Sequence, residues 1–295
     1  MNSLKPSFIL INNNKWKVIK MTLNELEQQT LFLHPNLDKN DVKLALMHCY
    51  DAHNYITYRQ LEKIEVTPLK KYEAIIRRLL KGEPIQYILG SAYFYFRDFS
   101  VDKNVLIPRP ETEELVHFFI GDAKNKPGVV LDVGTGSGVI AITIKHHTQH
   151  HVYASDISKK ALKVARLNSG GYDITFLDGD LLKPAIKEGL IINYIVANLP
   201  YIKEEEILDN KVKSFEPHRA LFWPKRNIFN RLFKEVKKLP KVDGGISLYL
   251  EYGTDQTEEL TLLAKRHFGR DAKIEVRKDM QGKERFLIIR GIHGN

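Results

Sequence analysis

The two strands predicted at the C-terminus constrain the fold more than any other feature of the chain. The apolar runs at residues 274–277 and 286–289 are joined only by residues 278–284. A parallel connection between strands needs a crossover of a dozen or more residues, usually a helix. Because this connection is too short for a helical crossover, the two strands must pair antiparallel or lie apart.

Strand and helix patterns alternate beyond residue 125, which is typical of an α/β domain with a parallel sheet. Short apolar runs predict strands over residues 129–133, 152–155, 174–177, 194–197 and 246–252. Helical periodicity predicts helices over residues 139–147, 159–168, 228–236 and 257–268. Together with the final pair of strands, this order predicts a parallel sheet with one reversed strand near its end.

The N-terminal part of the chain, residues 21–82, has helical periodicity and short connections, which predict a small helical bundle. Its helix start and stop signals are the capping-box pairs Thr22–Glu25 and Thr57–Gln60, a cap at Asp38 or Asn40, Thr67 before Pro68, and Gly82. Residues 1–20 stand outside the pattern, and we interpret them as an extension.

A linker separates the two patterns. We predict the bundle over residues 21–84, a linker over 85–108 and the α/β domain over 109–295. Apolar runs at residues 93–99 and 105–107 predict a hairpin in the linker. Pro110 then opens a helix with Glu111, Glu113 and Glu114 in its first turn, where carboxylates favour the helix dipole. Glu111 and Glu113 can support a site or simply cap this helix.

A glycine loop, LDVGTGSG, follows the first strand of the α/β domain and opens a helix. Glycines let the backbone approach a ligand closely, and helix N-termini favour anionic groups. Asp156 ends the next strand, where a carboxylate can accept hydrogen bonds from both hydroxyls of a ribose. The loop residues that we expect to bind a cofactor are Gly134, Thr135, Gly136, Ser137 and Gly138.

The loop predicts an adenosine-containing cofactor without deciding which one. The spacing of Gly134, Gly136 and Gly138 suits S-adenosylmethionine. The dinucleotide pattern also fits from Gly136 onward, because Asp156 lies 20 residues further along the chain. The reversed strand and the sequence NLPY weigh against NAD. Without a ligand, the same residues are a tight turn followed by a capping aspartate.

The third strand of the α/β domain ends in the sequence DGDL, residues 178–181. Here the Asp180 carboxylate can accept from the exocyclic amine of an adenine, with Leu181 against the ring. A polar turn without a ligand is the alternative.

The fourth strand ends in NLPY, residues 198–201, at the edge where open parallel sheets bind ligands. Asparagine and proline also simply end strands. A planar NH2 group, in an amide or an adenine, can be held by two acceptors, the Asn198 side-chain oxygen and the Leu199 carbonyl. Pro200 fixes the turn and Tyr201 can lie flat against the substrate. We therefore predict Asn198 and Tyr201 as the catalytic residues, with no metal ligand.

Composition limits the cellular setting. Apolar runs fall short of the roughly 18 residues of a membrane helix, and the N-terminus lacks the features of a signal peptide. With Cys49 as its single cysteine, the chain is expected to be cytoplasmic and monomeric, without a membrane partner. The net charge of +9 favours acidic partners such as nucleic acid, or describes a lysine-rich solvated surface. The lack of a long basic block favours the second interpretation.

At this point the chain resembles the protein-(glutamine-N5) methyltransferases that modify peptide chain release factors. The sequence blocks that carry the resemblance run through most of the chain: GEPIQYILG, VLIPRPETEELV, LDVGTGSG, SDIS, NLPYI, FEPHRAL, YLEYGTDQ and KDMQGKERF. The glycine loop is shared by many methyltransferases, whereas IPRPETE is far more specific.

The resemblance implies a Rossmann-like class I S-adenosylmethionine-dependent methyltransferase domain with a seven-stranded sheet, preceded by a helical domain that recognises the substrate. It implies S-adenosylmethionine as methyl donor, S-adenosylhomocysteine as product, and the glutamine of a release-factor Gly-Gly-Gln loop as acceptor. Nucleic acid is not required. Residues carried over by position as cofactor-binding are the glycine loop, Asp156, Asp180, Leu181 and Asn198; those for the glutamine are Asn198, Leu199, Pro200 and Tyr201.

Two departures from the family pattern matter. Leu199 stands where the family usually has proline, and NLPY is the form common in RNA adenine dimethyltransferases. Residues 222–226 stand where the family usually has a glycine-rich stretch. A nucleic-acid adenine-N6 methyltransferase is therefore the alternative enzyme. An RNA- or ribosome-binding protein with a vestigial loop is the non-enzymatic one, and the intact Asp156 and Asn198 argue against it.

Overall fold

The computed structural model describes residues 21–52, 54–66, 69–201, 214–222 and 228–294. The chain forms two compact units that meet in sequence between Leu89 and Gly90. The predicted extension over residues 1–20, the helix start at residues 67–68 and most of the departure at residues 222–226 lie outside the described residues. None of the helices in the described ranges is both long and apolar enough to cross a bilayer.

The N-terminal unit consists of short helices around one apolar core, as the periodicity predicts. Its elements are β1 (Met21–Thr22), α1 (Leu23–Leu33), α2 (Lys39–Cys49), α3 (Tyr55–Leu61), β2 (Glu65–Val66), α4 (Lys70–Leu79) and α5 (Ile85–Leu89). β1 and β2 pair antiparallel. The core includes Leu23, Leu46, Tyr58 and Ile76.

The caps of this unit confirm one capping box and refute the other. Glu25 N–H donates to Thr22 Oγ1 at 3.2 Å, and Thr22 N–H donates to Glu25 Oε2 at 2.8 Å. Asp38 caps α2. The predicted box at Thr57 is wrong, because Asn54 is the N-cap of α3 and accepts from Thr57 N–H at 2.8 Å. An asparagine one turn earlier is as good a cap as threonine.

The second unit is the α/β domain with a hairpin ahead of it. Its elements are β3 (Ser91–Phe94), β4 (Arg97–Ser100), α6 (Pro110–Ala123), β5 (Val129–Val133), α7 (Val139–His147), β6 (His151–Asp156), α8 (Lys159–Ser169), β7 (Ile174–Asp178), α9 (Lys183–Lys187), β8 (Tyr194–Asn198), α10 (His218–Leu221), α11 (Ile228–Val236), β9 (Ile246–Glu251), α12 (Thr257–Phe268), β10 (Lys273–Lys278) and β11 (Glu284–Ile292). Periodicity did not predict the short helices α9 and α10.

The predicted hairpin exists with a different second strand. β3 pairs antiparallel with β4, so both strands fall within residues 91–100. Tyr95 and Phe96 close the turn with φ of 45° and 64°, the left-handed backbone that two-residue hairpin loops require. Val105 and Ile107 are buried loop residues rather than a strand. Glycine usually marks such a turn, and its absence here concealed the hairpin.

The large sheet has seven strands in the order β10-β11-β9-β8-β5-β6-β7. β11 runs antiparallel to both of its neighbours, and the other pairs from β9 to β7 are parallel. The prediction of a parallel sheet with one reversed strand near its end is therefore confirmed.

Side-chain alternation divides the core of this unit between the two faces of the sheet. Leu131, Ile195 and Leu248 pack on one face, together with α11 and α12. Val130 and Val196 point to the other face, where α6 and α7 lie. Neighbouring residues thus face opposite helix layers, as the pleat of a strand requires.

Two adjacent glycines ahead of β9 provide a test of this packing. Both have left-handed backbones, with φ of 78° at Gly244 and 74° at Gly245. A Cβ on Gly244 meets no heavy atom of the described residues within 4 Å, whereas one on Gly245 comes within 2.8 Å of the Gly291 backbone. We expect Gly244→Ala to cost about 1 kcal/mol of unfolding free energy, and Gly245→Ala to cost ~1–3 kcal/mol more.

Urea denaturation followed by circular dichroism measures this difference. Gly244→Ala is the matched control, because it adds the same methyl group at nearly the same φ. Equal midpoints for the two variants would contradict the close approach of residue 245 to β11.

Candidate functional site

The strand register brings the predicted site residues to one edge of the sheet. Asp156 pairs with Asp178 across β6 and β7, and Asn198 pairs with Glu251 across β8 and β9. Val133, the last residue of β5, pairs with Ser155. Because these strands are parallel, their C-terminal ends form a common edge, the place where open α/β sheets bind ligands.

The glycine loop crosses this edge between β5 and α7. Gly134 N–H and Thr135 N–H both donate to Ser155 O, at 2.8 and 2.9 Å. Gly136 has φ of 56°, and the nearest heavy atom to a Cβ there, Gly134 O, is 4.0 Å away. Within the described residues, the backbone at Gly136 therefore has no close neighbour on the side of a Cβ, which suits close approach by a ligand. Ser137 is buried, and its carbonyl accepts from Asn168 Nδ2.

Gly138 is explained by packing rather than by a ligand. A Cβ at this position would lie 2.9 Å from Ile142 Cδ1 and 3.1 Å from Ala165 Cβ. Its φ of 87° also suits the start of α7. The third glycine of the motif thus allows α7 to approach α8, and its predicted direct contact with a cofactor receives no support from this geometry.

Asp132, near the end of β5, holds the glycine loop through hydrogen bonds. This residue was not predicted from the sequence as a site residue. Its Oδ2 accepts from Thr135 Oγ1 at 2.6 Å and from Ala141 N–H at 3.1 Å. Burial raises the pKa of this carboxyl to about 7. Its Oδ1 is buried and has no hydrogen-bond partner within the described ranges. The available signal was a carboxylate inside the apolar strand sequence VVLDV.

Asp156 lies beside the loop, as predicted, and holds it. Its Oδ2 accepts from Gly136 N–H at 2.9 Å, and its Oδ1 accepts from Ser158 N–H at 2.7 Å. Burial raises the pKa of this carboxyl. Each carboxylate oxygen has capacity for a further hydrogen bond, so Asp156 still fits the two hydroxyls of a ribose.

Asp180 and Leu181 follow β7 in an unusual backbone. Leu181 has φ of 50° and a buried side chain, a strained conformation that the surrounding structure must hold. Asp180 Oδ2 accepts from Lys183 Nζ at 2.7 Å and from Arg231. The predicted contact of Asp180 with an adenine amine therefore depends on its other oxygen, Oδ1.

Asn198 is tied to α6 and β9 through a hydrogen-bonded chain. Its Nδ2 donates to Thr112 Oγ1 at 2.9 Å, and Thr112 Oγ1 donates to Glu251 Oε2 at 2.8 Å. Tyr201 O–H donates to the other oxygen, Glu251 Oε1, at 3.3 Å. The two predicted catalytic residues are thus held by one carboxylate.

Glu251 and Thr112 were not predicted as site residues. Glu251 is 1% exposed, and burial raises its pKa to about 7. Burial also raises the pKa of Tyr201, so its hydroxyl stays protonated at neutral pH. The sequence signal for Glu251 was a carboxylate at the end of the apolar run ISLYLE. Thr112 was hidden among the acidic residues of IPRPETE.

The rest of the NLPY turn is fixed by packing. Leu199 is 3% exposed, and its Cδ2 lies 3.0 Å from the position of a Cβ on Gly134. Tyr201 O accepts from Gln256 Nε2 at 2.9 Å. A Cβ on Gly253 would lie 3.3 Å from the Tyr201 ring. Although Leu199 lacks the fixed φ of a proline, its side chain is enclosed by the core, which holds the turn.

Two sequence blocks that lie far apart in the chain contact each other beside this edge. Arg109 Nη2 and Glu216 Oε1 form an ion pair at 2.6 Å. Ile107 N–H donates to Glu216 Oε2 at 3.2 Å. In the first turn of α6, Glu113 Oε1 accepts from Tyr95 N–H, so this residue anchors the hairpin.

Comparison with known proteins identifies the family. The PrmC N-terminal domain model matches residues 26–90, and the methyltransferase small domain model matches residues 114–216. The chain is 40% identical over 230 residues to the release factor glutamine methyltransferase of Staphylococcus aureus, covering 75% of this chain and 81% of that protein. It is 36% identical over 281 residues to that of Bacillus cereus, covering 89% and 96%.

The chain belongs to the release factor glutamine methyltransferase family. The resemblance and the class I methyltransferase fold inferred from the sequence blocks are thereby confirmed. The chain is a methyltransferase, and the dinucleotide cofactor that the glycine spacing left open is discarded. Membership in this family implies S-adenosylmethionine as the methyl donor.

The raised pKa of Asp132 predicts a pH-dependent stability. Because the folded state holds the Asp132 proton more tightly than the unfolded chain, its contribution is present at low pH and is lost as the pH rises through about 7. Asparagine does not titrate, so the stability of wild type relative to Asp132→Asn should fall by up to about 4 kcal/mol between pH 4 and pH 8.

Urea unfolding of both proteins at several pH values measures this double difference. The comparison cancels the titration of groups that both proteins share. A difference that stays constant across this pH range would show that Asp132 titrates as an ordinary carboxyl.

Proposed function

We propose that this methyltransferase transfers a methyl group from S-adenosylmethionine to the side-chain amide nitrogen of the glutamine in the Gly-Gly-Gln motif of peptide chain release factors. The names of its relatives support this acceptor. Release factors act in the cytoplasm, and we expect the enzyme to act there as a monomer, with no requirement for nucleic acid.

The orientation of the Asn198 amide carries the proposal. Its NH2 group donates to Thr112, so its Oδ1, the other in-plane substituent of the amide carbon, remains as an acceptor. A glutamine NH2 group has two protons to donate. Asn198 Oδ1 and the Leu199 carbonyl together match those two protons, and the Tyr201 ring supplies a flat apolar surface for the amide.

These contacts explain how a poor nucleophile can react. The lone pair of an amide nitrogen is delocalised into the carbonyl, so catalysis depends on holding that nitrogen in line with the methyl group. When bound, S-adenosylmethionine supplies a methyl group activated by its positively charged sulfur. Acceptors at Asn198 and Leu199 also stabilise the positive charge that develops on the amide. After transfer, the nitrogen is acidic enough to lose a proton to water.

The cofactor fits the other half of the edge. Asp156 retains acceptor capacity for ribose hydroxyls, and the open face at Gly136 admits a ligand against the loop. Asp180 Oδ1 follows β7 on the same edge, next in sequence to Leu181, whose side chain packs into the core beneath it. We therefore assign S-adenosylmethionine to Gly134–Gly136 with neighbouring Ser137, Asp156, Asp180, Leu181 and Asn198.

Adenine-N6 methylation of nucleic acid is the second candidate, and Leu199 is the observation that favours it. The structure gives this residue a different role, because its side chain fills the space beside Gly134. Packing alone therefore explains a leucine at position 199. For this reason Leu199 is weak evidence for an adenine substrate.

A labelling assay tests the proposal. The protein is incubated with methyl-labelled S-adenosylmethionine and either a release factor or ribosomal RNA. We expect one methyl group on the Gly-Gly-Gln peptide by mass analysis, and none when that glutamine is replaced by alanine. Asn198→Ala removes the acceptor that orients the nitrogen and should lower kcat by roughly 100-fold or more.

Two results would overturn the assignment. Label on RNA and not on the release factor would establish the second candidate instead. Full activity of Asn198→Ala would remove Asn198 from the mechanism. Far-ultraviolet circular dichroism and urea denaturation show that the variant is folded.

A further inference from the structure

We propose that Thr112 and Glu251 are positioning residues, which fix the orientation of the Asn198 amide through a directed hydrogen-bond chain. The effect of this hydrogen-bond chain on methyl transfer rests on the proposed function. The orientation of the amide involves only residues of this protein and can be measured without cofactor or substrate.

The direction of the chain follows from the donor and acceptor capacity of each group. An ionised carboxylate only accepts, so the single hydroxyl proton of Thr112 is used toward Glu251 Oε2 at 2.8 Å. Toward Asn198, Thr112 Oγ1 can then only accept. The Asn198 NH2 group must therefore face it, at 2.9 Å, and Oδ1 must face away.

The same carboxylate holds the far end of the turn. Tyr201 O–H donates to Glu251 Oε1 at 3.3 Å. Glu251 lies at the end of β9 and pairs in register with Asn198 at the end of β8, while Thr112 comes from α6. The Glu251 carboxylate at the end of β9 thus connects α6 with the turn after β8. One of its oxygens holds Asn198 through Thr112, and the other holds Tyr201.

Protonation of Glu251 would reverse this chain. A protonated carboxyl can donate to Thr112, whose own proton is then free to be donated to Asn198 Oδ1. The amide would turn, and its oxygen would no longer be available to a substrate NH2 group. The orientation required for methyl transfer therefore needs the ionised form of Glu251.

The surroundings of Glu251 set the pH range of this effect. Burial is the largest influence and raises its pKa to about 7, and the charge of Glu111 from α6 acts in the same direction. Arg285 from β11, the Thr112 hydroxyl and the Tyr201 hydroxyl favour the ionised form. Arg285 itself is paired with Asp279 at 2.9 Å. The carboxyl thus titrates near neutral pH, where a change of orientation affects activity.

Variants at Thr112 test whether its hydroxyl positions the Asn198 amide or only fills space in the core. Thr112→Val keeps the shape and removes the hydroxyl, so kcat should fall roughly tenfold or more with a smaller change in KM. Thr112→Ser restores the hydroxyl and should return kcat to within about threefold of wild type. Thr143→Val is the matched control, because Thr143 is buried in α7 and its hydroxyl has no partner within the described ranges.

The pH profile gives a readout that a merely structural role would not move. In wild type, kcat should fall as the pH drops below the pKa of Glu251. Thr112→Val loses a hydrogen bond that lowers this pKa, so the midpoint should shift to higher pH. Thr143→Val should leave both kcat and the midpoint unchanged.

Nuclear magnetic resonance tests the orientation in the ligand-free protein. The side-chain NH2 signals of Asn198, assigned by their loss in Asn198→Asp, are followed with the Glu251 carboxyl carbon as the pH is changed. We expect both to move with the same midpoint in wild type and Thr112→Ser. In Thr112→Val, the Asn198 signals should no longer follow Glu251.

Glu251→Gln provides a second test if Thr112→Val does not fold. Glutamine cannot ionise, so the Asn198 signals should become independent of pH over this range. Asn198 signals in wild type that ignore the titration of Glu251 would overturn the inference, as would unchanged kcat in Thr112→Val. Coupling of the two signals in a protein that methylates no release factor would support the inference and refute the proposed function.

Discussion

The parallel direction of β5, β6, β8 and β9 is the constraint on which the site depends. Parallel strands place all their C-terminal ends at one edge, so residues separated by tens of positions meet without any long-range loop. The glycine loop, Asp156, Asn198 and Glu251 each follow or end one of these strands. The reversed β11 lies between β9 and the outermost strand β10, so it falls outside the run of parallel strands that forms this edge.

Buried carboxylates fix both halves of that edge. Asp132 accepts hydrogen bonds from Thr135 in the loop and from Ala141 in the first turn of α7. Glu251 holds the turn through Thr112 and Tyr201. Removing a carboxylate from water is costly, and hydrogen bonds offset only part of the cost. The raised pKa values of both groups reflect this. Such costly groups at a ligand edge are typical of functional sites rather than of ordinary cores.

Most of the fold could be predicted from the sequence because its elements have strong and separate patterns. The helices α7, α11 and α12 fall where periodicity places them, and the short connection after β10 reveals the reversed strand. The predicted second strand of the hairpin was wrong because two aromatic residues, Tyr95 and Phe96, occupy a turn that usually contains glycine. Local pattern cannot reveal a turn whose strain is supported by tertiary contacts.

The site was predicted less completely, and for a different reason. Polar residues at the ends of predicted strands, such as Asp156 and Asn198, can be recognised as candidate site residues from their position in the sequence alone. Thr112 and Glu251 become visible only when α6 is packed against β8 and β9. At Gly138 the motif predicts ligand contact, whereas the structure supplies a packing reason for the glycine, so its cofactor role stays a prediction.

The close contact between Leu199 and Gly134 joins the two halves of the edge into one steric unit. A side chain at position 134 would come within 3.0 Å of a Leu199 methyl group, so the bulk of Leu199 depends on the absence of a side chain at Gly134. Sorting methyltransferases into amide and adenine classes by that letter would misplace this protein. In this protein the leucine side chain fills the space beside the glycine loop.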